Sequence, residues 1–576
     1  MLEKIGKAVF ESVREMAQVS HEDARASVVF SERSDQGDCA SSIALKIAKN
    51  IGSGPLETAA KLRDRLLQSG IEDIQKIEVV APGFLNFYLS QKYLIETMKA
   101  VLASPDSWGS MDEYDAAKKK TLVLEYFQLN IAKRPHIGHL RSAVIGDALK
   151  RMLLAQGYRV VSDTHVGDWG TQFGVLLTGY KDMIAKGEKV NEKDPFESLE
   201  KIYLDENARI EKDASRLERA KQEFAQLERG DQENRKIWQW MVDISMQKLA
   251  ESAQRLNLLP FEEHRGESAY EGAMPAIVDL ALQKGVAKKT SEGAVIVDLT
   301  SDGLDEAVLI KSDGASTYLL RDLATIKYRK EKWKFGKNLY VVDVRQSHHF
   351  QQVFRVVELL GFEGVGESEH IEFGFMTSKQ GALSTRKGTA VSLDAVLDEA
   401  KERALKVIQE KNPDLKSKEE VAEAVGVGAL KYYDLSHHRR SDIVFDWDSA
   451  LSFEGNTGPY LQYTYARFKS ILRKVGKSGG FIDSSVKIDD AERNLIAFLL
   501  RYPEIISISL KDFSPNVLAS FLNQLAQKAN EFYHSHPVAQ EEDSTKKNFR
   551  IALVECVAST IAKGLGLLGV IALEEM

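Results

Sequence analysis

The pattern of apolar and polar positions predicts a strand, a loop and a long helix beginning near residue 121. Residues 121–127 form a near-continuous apolar run, which is typical of a strand buried in a parallel sheet. Residues 140–156 place apolar side chains on one helical face and are followed by Gly157, a residue type that often ends helices. A second short strand at 159–162 completes a βαβ unit. This unit indicates an α/β nucleotide-binding domain.

Different patterns lie on either side of this unit. Residues 2–19 have the spacing of an amphipathic helix, and 77–89 are predicted to form one apolar strand. The region from about 185 to 257 is strongly charged and helical, whereas strand patterns return at 293–298 and 339–343. After about residue 395 the pattern is almost entirely helical, and it ends in a predicted helix at 550–573.

We therefore predict a multidomain α/β protein with a Rossmann-like, parallel-sheet catalytic domain that carries a helical insertion. An N-terminal α+β domain precedes the catalytic domain, and a C-terminal all-α domain follows it. The predicted bounds are 1–115 for the N-terminal domain, 116–400 for the catalytic domain with its insertion around 185–290, 401–445 for a connecting helical segment, and 446–576 for the C-terminal domain.

Composition narrows the class of protein. A chain of 576 residues is too long for one hydrophobic core, which agrees with several domains. No apolar run reaches the roughly 18 residues of a membrane span, so we expect no membrane partner. Two distant cysteines, Cys39 and Cys556, exclude a disulfide framework and a four-cysteine zinc site and favour a reducing cytoplasm. The net charge of −8 is not that of a nonspecific nucleic-acid binder, but it does not exclude local RNA-binding patches.

The loop between the first strand and its helix contains groups suited to nucleotide phosphates. Residues 130–139 read Asn-Ile-Ala-Lys-Arg-Pro-His-Ile-Gly-His, so that His136 and His139 flank Gly138 near the helix N-terminus. Hydrogen-bond donors, cations and helix N-termini stabilise the negative charge that develops on a reacting phosphate. The alternative is that both histidines are ordinary loop residues satisfied by backbone groups.

This loop resembles the first signature motif of class I aminoacyl-tRNA synthetases. The wider segment 130–142 resembles the arginyl-tRNA synthetases in particular. The resemblance continues, in the same order and over nearly the whole chain, at 312–324, 343–350, 445–447, 455–463 and the C-terminal Glu574-Glu575-Met576. It implies an arginine–tRNA ligase that converts ATP, L-arginine and tRNA(Arg) to arginyl-tRNA, AMP and diphosphate through arginyl-adenylate.

The residue types agree with arginine as substrate. Tyr318 and Asp322 are spaced i, i+4 on a predicted helix and so face one site. The resemblance implies that they hold the guanidinium beside Gln346. Glu125, at the end of a buried strand, needs a cationic partner, which the substrate could supply. The alternative is a salt bridge from Glu125 or Asp322 to an arginine of the protein.

The resemblance also implies contacts to ATP and to the amino-acid head group. Asn130 and His136 are expected to bind the substrate arginine, and the departure from the family pattern just before them makes Gln128 a further candidate. The expected ATP-binding residues are Asn130, Ala132, Lys133, His136, Gly138, His139, Met376, Ser384 and Lys387.

The second signature departs from the family consensus. It reads Leu-Ser-Thr-Arg-Lys-Gly at 383–388, with Ser384 where some relatives carry the key lysine. Arg386 and Lys387 are the local cations that could neutralise the leaving diphosphate, and we hypothesise that Lys133 shares this role. The expected catalytic set is therefore His136, Gly138, His139, Lys133, Arg386 and Lys387.

The same resemblance implies contacts to tRNA, a metal ion with ATP, an oligomeric state and a requirement for tRNA. The N-terminal domain is expected to bind the tRNA elbow and the C-terminal domain the anticodon, although several of the candidate side chains could instead be core residues. Mg²⁺ is expected with ATP, without a protein-bound structural metal, and the enzyme is expected to be a monomer that needs tRNA for activation. The tRNA-binding candidates are Phe84, Asn86, Tyr460, Tyr463, Asn530, Tyr533 and Met576.

Two other functions are possible from the sequence. One is another class I synthetase or a nucleotidyltransferase with the same histidine loop, against which Tyr318, Asp322 and Gln346 argue. The other is a catalytically inactive tRNA-binding relative, against which the intact His136 and His139 argue.

Overall fold

The computed structural model of the chain divides into two units. The first comprises Met1–Ser110, Phe453–Gly566 and Ile571–Met576, and the second comprises Met111–Ser452 and Leu567–Val570. The domain bounds inferred from the sequence remain a prediction. The structure describes residues 1–31, 33–110, 120–362, 365–378, 392–476 and 482–576.

The N-terminal part of the first unit is a four-stranded antiparallel sheet with helices. Its strands are β1 (Val28–Phe30), β2 (Cys39–Ser41), β3 (Ile74–Val80) and β4 (Phe84–Leu89), in the order β1-β2-β4-β3. A core of apolar side chains from this sheet and its helices includes Val9, Leu62 and Phe87. The helices are Leu2–Val13, His21–Ala26, Ile43–Ile47, Pro55–Gln68 and Gln91–Ala103.

The predicted bounds of one helix and one strand in this region were wrong. The first helix ends at Val13, not at 19, because Ser20 caps a new helix by accepting a hydrogen bond from the backbone N–H of Asp23. The single strand predicted at 77–89 is two antiparallel strands, since Pro82-Gly83 forms the turn between them.

The C-terminal part of the first unit is helical. Leu518, Leu522 and Leu525 lie at helical spacing and are buried, as expected of an amphipathic helix packed in a core. The last helix begins earlier than predicted and ends at Leu567, before Gly569 adopts a left-handed backbone conformation. The helices are Gly458–Val475, Asp490–Leu499, Tyr502–Lys511, Asn516–Ser535 and Ser544–Leu567.

The second unit is built on a parallel sheet. Its strands β5 (Leu122–Glu125), β6 (Val160–Asp163), β10 (Lys337–Asp343) and β11 (Ser368–Phe373) pair in the order β11-β10-β5-β6. The chain leaves β5 toward β6 on one side and β10 toward β11 on the other. In such sheets the crevice between the two halves opens at the carboxyl ends of the central strands. The predicted α/β fold is confirmed, and it places a site beyond β5 and β10.

Smaller sheets and many helices complete this unit. β7 (Ala287–Lys289), β8 (Val295–Val297) and β9 (Ala307–Ile310) are antiparallel, whereas β12 (Met376–Ser378) and β13 (Ile443–Phe445) are parallel. The helices are Ile137–Ala155, Thr171–Ala185, Pro195–Lys212, Ser215–Glu228, Gln232–Arg255, Met274–Gln283, Tyr318–Trp333, Ser347–Leu360, Leu393–Lys411, Lys418–Leu435 and Trp447–Ala450.

The charged region predicted to be helical contains three of these helices, between 195 and 255. The almost wholly helical pattern predicted after residue 395 misses β13, a short apolar run that pairs with β12. Among the described residues, no helix has both the length and the apolar character needed to cross a membrane.

Candidate active site

A cavity of about 540 Å³ opens at the carboxyl ends of β5 and β10. This volume is within the usual range for a small-molecule site. Segments that follow β5, β6 and β10 form its walls together with the helix Tyr318–Trp333, which we call the tyrosine helix. The cavity brings together these sequence-predicted residues: Glu125, Gln128, Asn130, Gly138, His139, Tyr318, Asp322 and Gln346.

The two predicted histidines cap the helix that follows β5. His136 Nδ1 accepts a hydrogen bond from the backbone N–H of Gly138 at 3.1 Å, and His139 Nδ1 accepts one from the backbone N–H of His136 at 3.1 Å. The two rings lie 3.9 Å apart, centroid to centroid. The sequence alternative of histidines satisfied by backbone groups is thus realised at both Nδ1 atoms, while both Nε2 atoms stay outside this cap.

Both imidazoles are neutral near pH 7. Burial lowers the pKa of His139 to about 3, and the nearby His136 and Lys133 act in the same direction. Burial, together with Arg345 and Lys133, also lowers the pKa of His136. Because Nδ1 is the acceptor in each neutral ring, the proton resides on Nε2, which is therefore a hydrogen-bond donor.

Glu125 and Asp163, at the ends of β5 and β6, share one buried arginine. Arg329 Nη2 lies 2.7 Å from Glu125 Oε2 and 2.8 Å from Asp163 Oδ2, and all three side chains are buried. The alternative of a salt bridge from Glu125 to an arginine of the protein is therefore observed. Glu125 Oε2 nevertheless accepts no well-aligned hydrogen bond from the described residues. It retains the capacity to accept one from a ligand.

Asp322 lies between two histidines that the sequence analysis did not include in the site. Asp322 Oδ2 accepts a hydrogen bond from His349 Nε2 at 2.5 Å, whereas His165 Nε2 is 4.0 Å from Oδ1. Burial opposes protonation of His165, but the charges of Glu125 and Asp322 outweigh it and raise its pKa. Tyr318, one turn before Asp322, is 68% exposed and can contact a ligand.

Glu267 and Arg321 are further cavity residues that sequence reasoning missed. Their side chains form an ion pair, with Arg321 Nη1 3.3 Å from Glu267 Oε2. Burial raises the pKa of Glu267 to about 7 against the opposing charges of His165 and Arg321. No local motif marks Glu267, but Arg321 lies between Tyr318 and Asp322 in the segment 312–324, which carries part of the family resemblance.

The backbone around the cavity adopts unusual conformations. Phe127, Ala132 and His165 have φ values of 60°, 58° and 40°, which side-chain-bearing residues rarely adopt. Asn130 pairs with Gly167 across the loop, where a Cβ atom on Gly167 would clash with the Asn130 side chain. Such constrained backbone is often found at functional sites.

Other predicted ATP-binding residues do not line the cavity. Lys133 is exposed, and its Nζ lies 5.5 Å from the ring centroid of Tyr203. The backbone N–H of Ala132 donates to Ser245 Oγ, and Met376 pairs with Ile443 in the small parallel sheet. Ser384, Arg386 and Lys387 are outside the described residues.

Comparison with models of known protein families shows which family the chain belongs to. Residues 101–447, more than half of the chain, match the catalytic domain of class I tRNA synthetases of the arginine type. The chain belongs to the arginyl-tRNA synthetase family. Residues 3–89 match the arginyl-tRNA synthetase N-terminal domain, and residues 461–576 match the DALR anticodon-binding domain.

Individual arginyl-tRNA synthetases are similar to this chain over nearly their full length. The arginine–tRNA ligase of Fusobacterium nucleatum is 37% identical, with 94% of this chain and 93% of that protein covered. That of Clostridioides difficile is 36% identical, with 97% of each covered. The Thermus thermophilus arginyl-tRNA synthetase structure is 27% identical with a TM-score of 0.83 over all of both chains. The resemblance noted in the sequence is thereby confirmed.

The tRNA-binding candidates of this arginyl-tRNA synthetase family member differ in exposure. Tyr463 is 48% exposed, whereas Asn86 is only 5% exposed and leaves little surface for RNA. Asn530 Nδ2 donates to Tyr460 Oη at 3.0 Å, and the Arg467 guanidinium lies 4.8 Å from the Tyr533 ring centroid. Phe84 and Met576 are half-buried. Their roles remain predictions.

Proposed function

We propose that the protein is an arginine–tRNA ligase that forms L-arginyl-tRNA(Arg), AMP and diphosphate from ATP, L-arginine and tRNA(Arg) through arginyl-adenylate. The observation that carries this proposal is a single cavity that is lined by the carboxylates Glu125 and Asp322 and by His139, one of the two neutral histidines that cap the helix after β5. Class I family membership supports ATP as the nucleotide substrate.

The carboxylate side suits a guanidinium. Asp322 Oδ1 and Glu125 Oε2 have no well-aligned hydrogen bond from the described residues, so each can accept an N–H of the substrate. The exposed ring of Tyr318 offers a face for a planar cation, and Gln346 a neutral acceptor. Asn130, which also lines the cavity, is proposed to hold the α-amino and carboxylate groups.

The histidine side suits ATP. We propose that His136 and His139 donate Nε2–H to phosphate oxygens at the helix N-terminus, where Gly138 allows close approach. A carboxylate oxygen of arginine attacks the α-phosphorus as the bond to the diphosphate oxygen breaks. Mg²⁺ would be held mainly by the phosphates. Arg386 and Lys387, with Met376 and Ser384 nearby in sequence, complete the proposed nucleotide contacts.

The second step moves arginine to tRNA. A hydroxyl of the terminal ribose attacks the adenylate carbonyl carbon, and AMP leaves. Phe84 and Asn86 are proposed to contact the elbow. The proposed anticodon contacts are Tyr460, Tyr463, Asn530, Tyr533 and Met576.

Charging of tRNA with each of the twenty amino acids tests the proposal. We expect charging with arginine alone, with lysine at least about 10⁴-fold less efficient, because carboxylates built to receive forked N–H donors would stay unpaired. Charging with lysine would contradict arginine specificity, and no charging would favour a catalytically inactive relative. Diphosphate exchange is expected only when tRNA is present.

We propose that Lys133 helps to neutralise the leaving diphosphate, so Lys133→Ala is expected to slow activation by about 10²-fold through the loss of one cation. Single-turnover adenylate formation with tRNA bound is the measurement. Lys236→Ala, at another exposed lysine of the second unit, serves as the control and should be unchanged. Unchanged activation in Lys133→Ala with normal ATP binding would remove Lys133 from the mechanism.

A cytoplasmic location agrees with two buried free thiols, and burial raises the pKa of Cys39 to about 12, which suppresses its reactivity. The protein is proposed to act as a monomer, which light scattering of the purified chain would test.

A further inference from the structure

A second cavity, of about 570 Å³, lies within the first unit. One wall is the segment around β1 and β2, and the others are the helices Asp490–Leu499, Tyr502–Lys511 and Asn516–Ser535. Arg501 is one of its lining residues, so we call it the Arg501 cleft. None of the residues predicted to bind tRNA, arginine or ATP lines it.

Arg501 is held by aromatic rings and has no ion-pair partner among the described residues. Its guanidinium carbon lies 4.9 Å from the ring centroid of Phe30 and 5.1 Å from that of Phe498. Stacking on ring faces leaves the N–H groups at the guanidinium edge available to an acceptor. Burial lowers the pKa of Arg501 and outweighs the opposing effect of Asp38, as expected for a cation that lacks a close counter-charge.

The remaining charges of the cleft do not neutralise Arg501. Asp38 is occupied, since it accepts two hydrogen bonds from Arg493, at 2.6 and 3.1 Å, and one from the backbone N–H of Leu89 at 2.7 Å. Lys528 Nζ lies 5.4 Å from the Phe498 ring centroid and forms no ion pair in the described part of the chain. Two cations therefore face the cleft without a carboxylate to pair with.

A neutral acceptor lies in the same cleft. Asn516 Oδ1 is buried and accepts no hydrogen bond from the described residues. A buried acceptor without a donor is costly, so a ligand hydroxyl at this place would be favoured. The cleft thus combines two unpaired cations with one acceptor that lacks a donor.

We propose that the Arg501 cleft binds a ribose phosphate group, with the phosphate at Arg501 and Lys528 and a sugar hydroxyl at Asn516. The same chemistry is present in an RNA strand and in a free ribonucleotide. The RNA source rests on the proposed function, since that RNA would be the tRNA substrate.

The RNA source is tested by the salt dependence of tRNA(Arg) binding to the full-length chain. Lys528→Met and Arg501→Met should each reduce the slope of log K against log salt by about 1, as for one lost phosphate contact. Arg501→Lys should retain most of the slope. Lys511→Met, an exposed lysine of a neighbouring helix that does not line the cleft, should change nothing. Lys528 is exposed, so its variant tests the site even if Arg501→Met fails to fold.

The free-nucleotide source is tested by calorimetric titration with ribose 5-phosphate. Binding that is lost in Lys528→Met, together with unchanged tRNA slopes, would identify a free ribonucleotide as the ligand. Unchanged slopes and no ribose 5-phosphate binding would overturn the proposal. Charging with arginine is measured in parallel on the unsubstituted protein: its absence would contradict the proposed function, whereas intact charging with unchanged slopes and no titration signal would contradict only the cleft.

Discussion

Replacing Asp322 by asparagine is expected to lower kcat/KM for arginine by roughly 30- to 4,000-fold. This corresponds to about 2–5 kcal/mol, the usual loss when one partner of a buried charge pair is truncated. Asparagine keeps the size of the side chain and can still accept a hydrogen bond from His349, so the variant removes charge rather than packing. The guanidinium of arginine would then enter a cavity with one negative charge fewer.

The distribution of the loss between KM and kcat is informative. If Asp322 binds the guanidinium equally in ground and transition states, KM for arginine rises and kcat changes little, while KM for ATP stays constant. Asp305→Asn is the matched control, because Asp305 is exposed and does not line the cavity. Unchanged kcat/KM for arginine in Asp322→Asn would remove this residue from the binding site.

Local pattern was sufficient for the parts of the site that follow directly from a strand or a helix. Glu125 was predicted to lie at the end of a buried strand, and Tyr318 and Asp322 were predicted to be neighbours on one helical face; all three line the cavity. Arg329 lies seven residues after Asp322 on the same face of the tyrosine helix, so helical spacing could have identified it. Its partners could not be read from spacing alone, because they are on separate strands.

Residues supplied by loops were harder to predict. His165 and Glu267 reach the cavity from segments whose course depends on tertiary structure, not on local pattern. The strands likewise include one that the local pattern predicted correctly and one segment for which it was insufficient. The apolar run of β5 correctly indicated a buried parallel strand, whereas the equally apolar stretch at 77–89 was a hairpin, since Pro82-Gly83 interrupts it. Apolar character correctly indicated that both segments contribute buried side chains, whereas the turn residues determined whether a segment forms one strand or two.

Arg329→Met is expected to destabilise the parallel sheet by about 3–5 kcal/mol, because it leaves two buried carboxylates, Glu125 and Asp163, without their cation. Hydrogen exchange at the backbone amides of β5 and β6 measures the loss of stability in this part of the sheet. A local measurement is needed because global unfolding of a chain with several domains need not be two-state. Arg219→Met, which breaks a partly exposed pair with Asp182, should cost less than about 1 kcal/mol.

The pH dependence distinguishes electrostatics from a loss of packing. Burial alone would raise the pKa of Asp163, but Arg329 and His165 outweigh burial and hold it below its ordinary value. In the unsubstituted protein, the ionised Asp163 carboxylate therefore stabilises the folded state. Its contribution is complete above the ordinary carboxyl pKa and is lost as pH falls through the lowered pKa of Asp163. Removing Arg329 takes away the largest charge that lowers the pKa of Asp163, so we expect this pKa to rise and the penalty of the unpaired carboxylate to shrink as pH falls.

The stability difference between the two proteins should consequently become smaller on acidification. Adding Asp163→Asn to Arg329→Met should likewise recover part of the stability at neutral pH, since one unpaired charge is removed. A difference that is independent of pH and is not reduced by Asp163→Asn would mean that Arg329 acts by filling space, and the electrostatic account of the β5–β6 edge would be wrong.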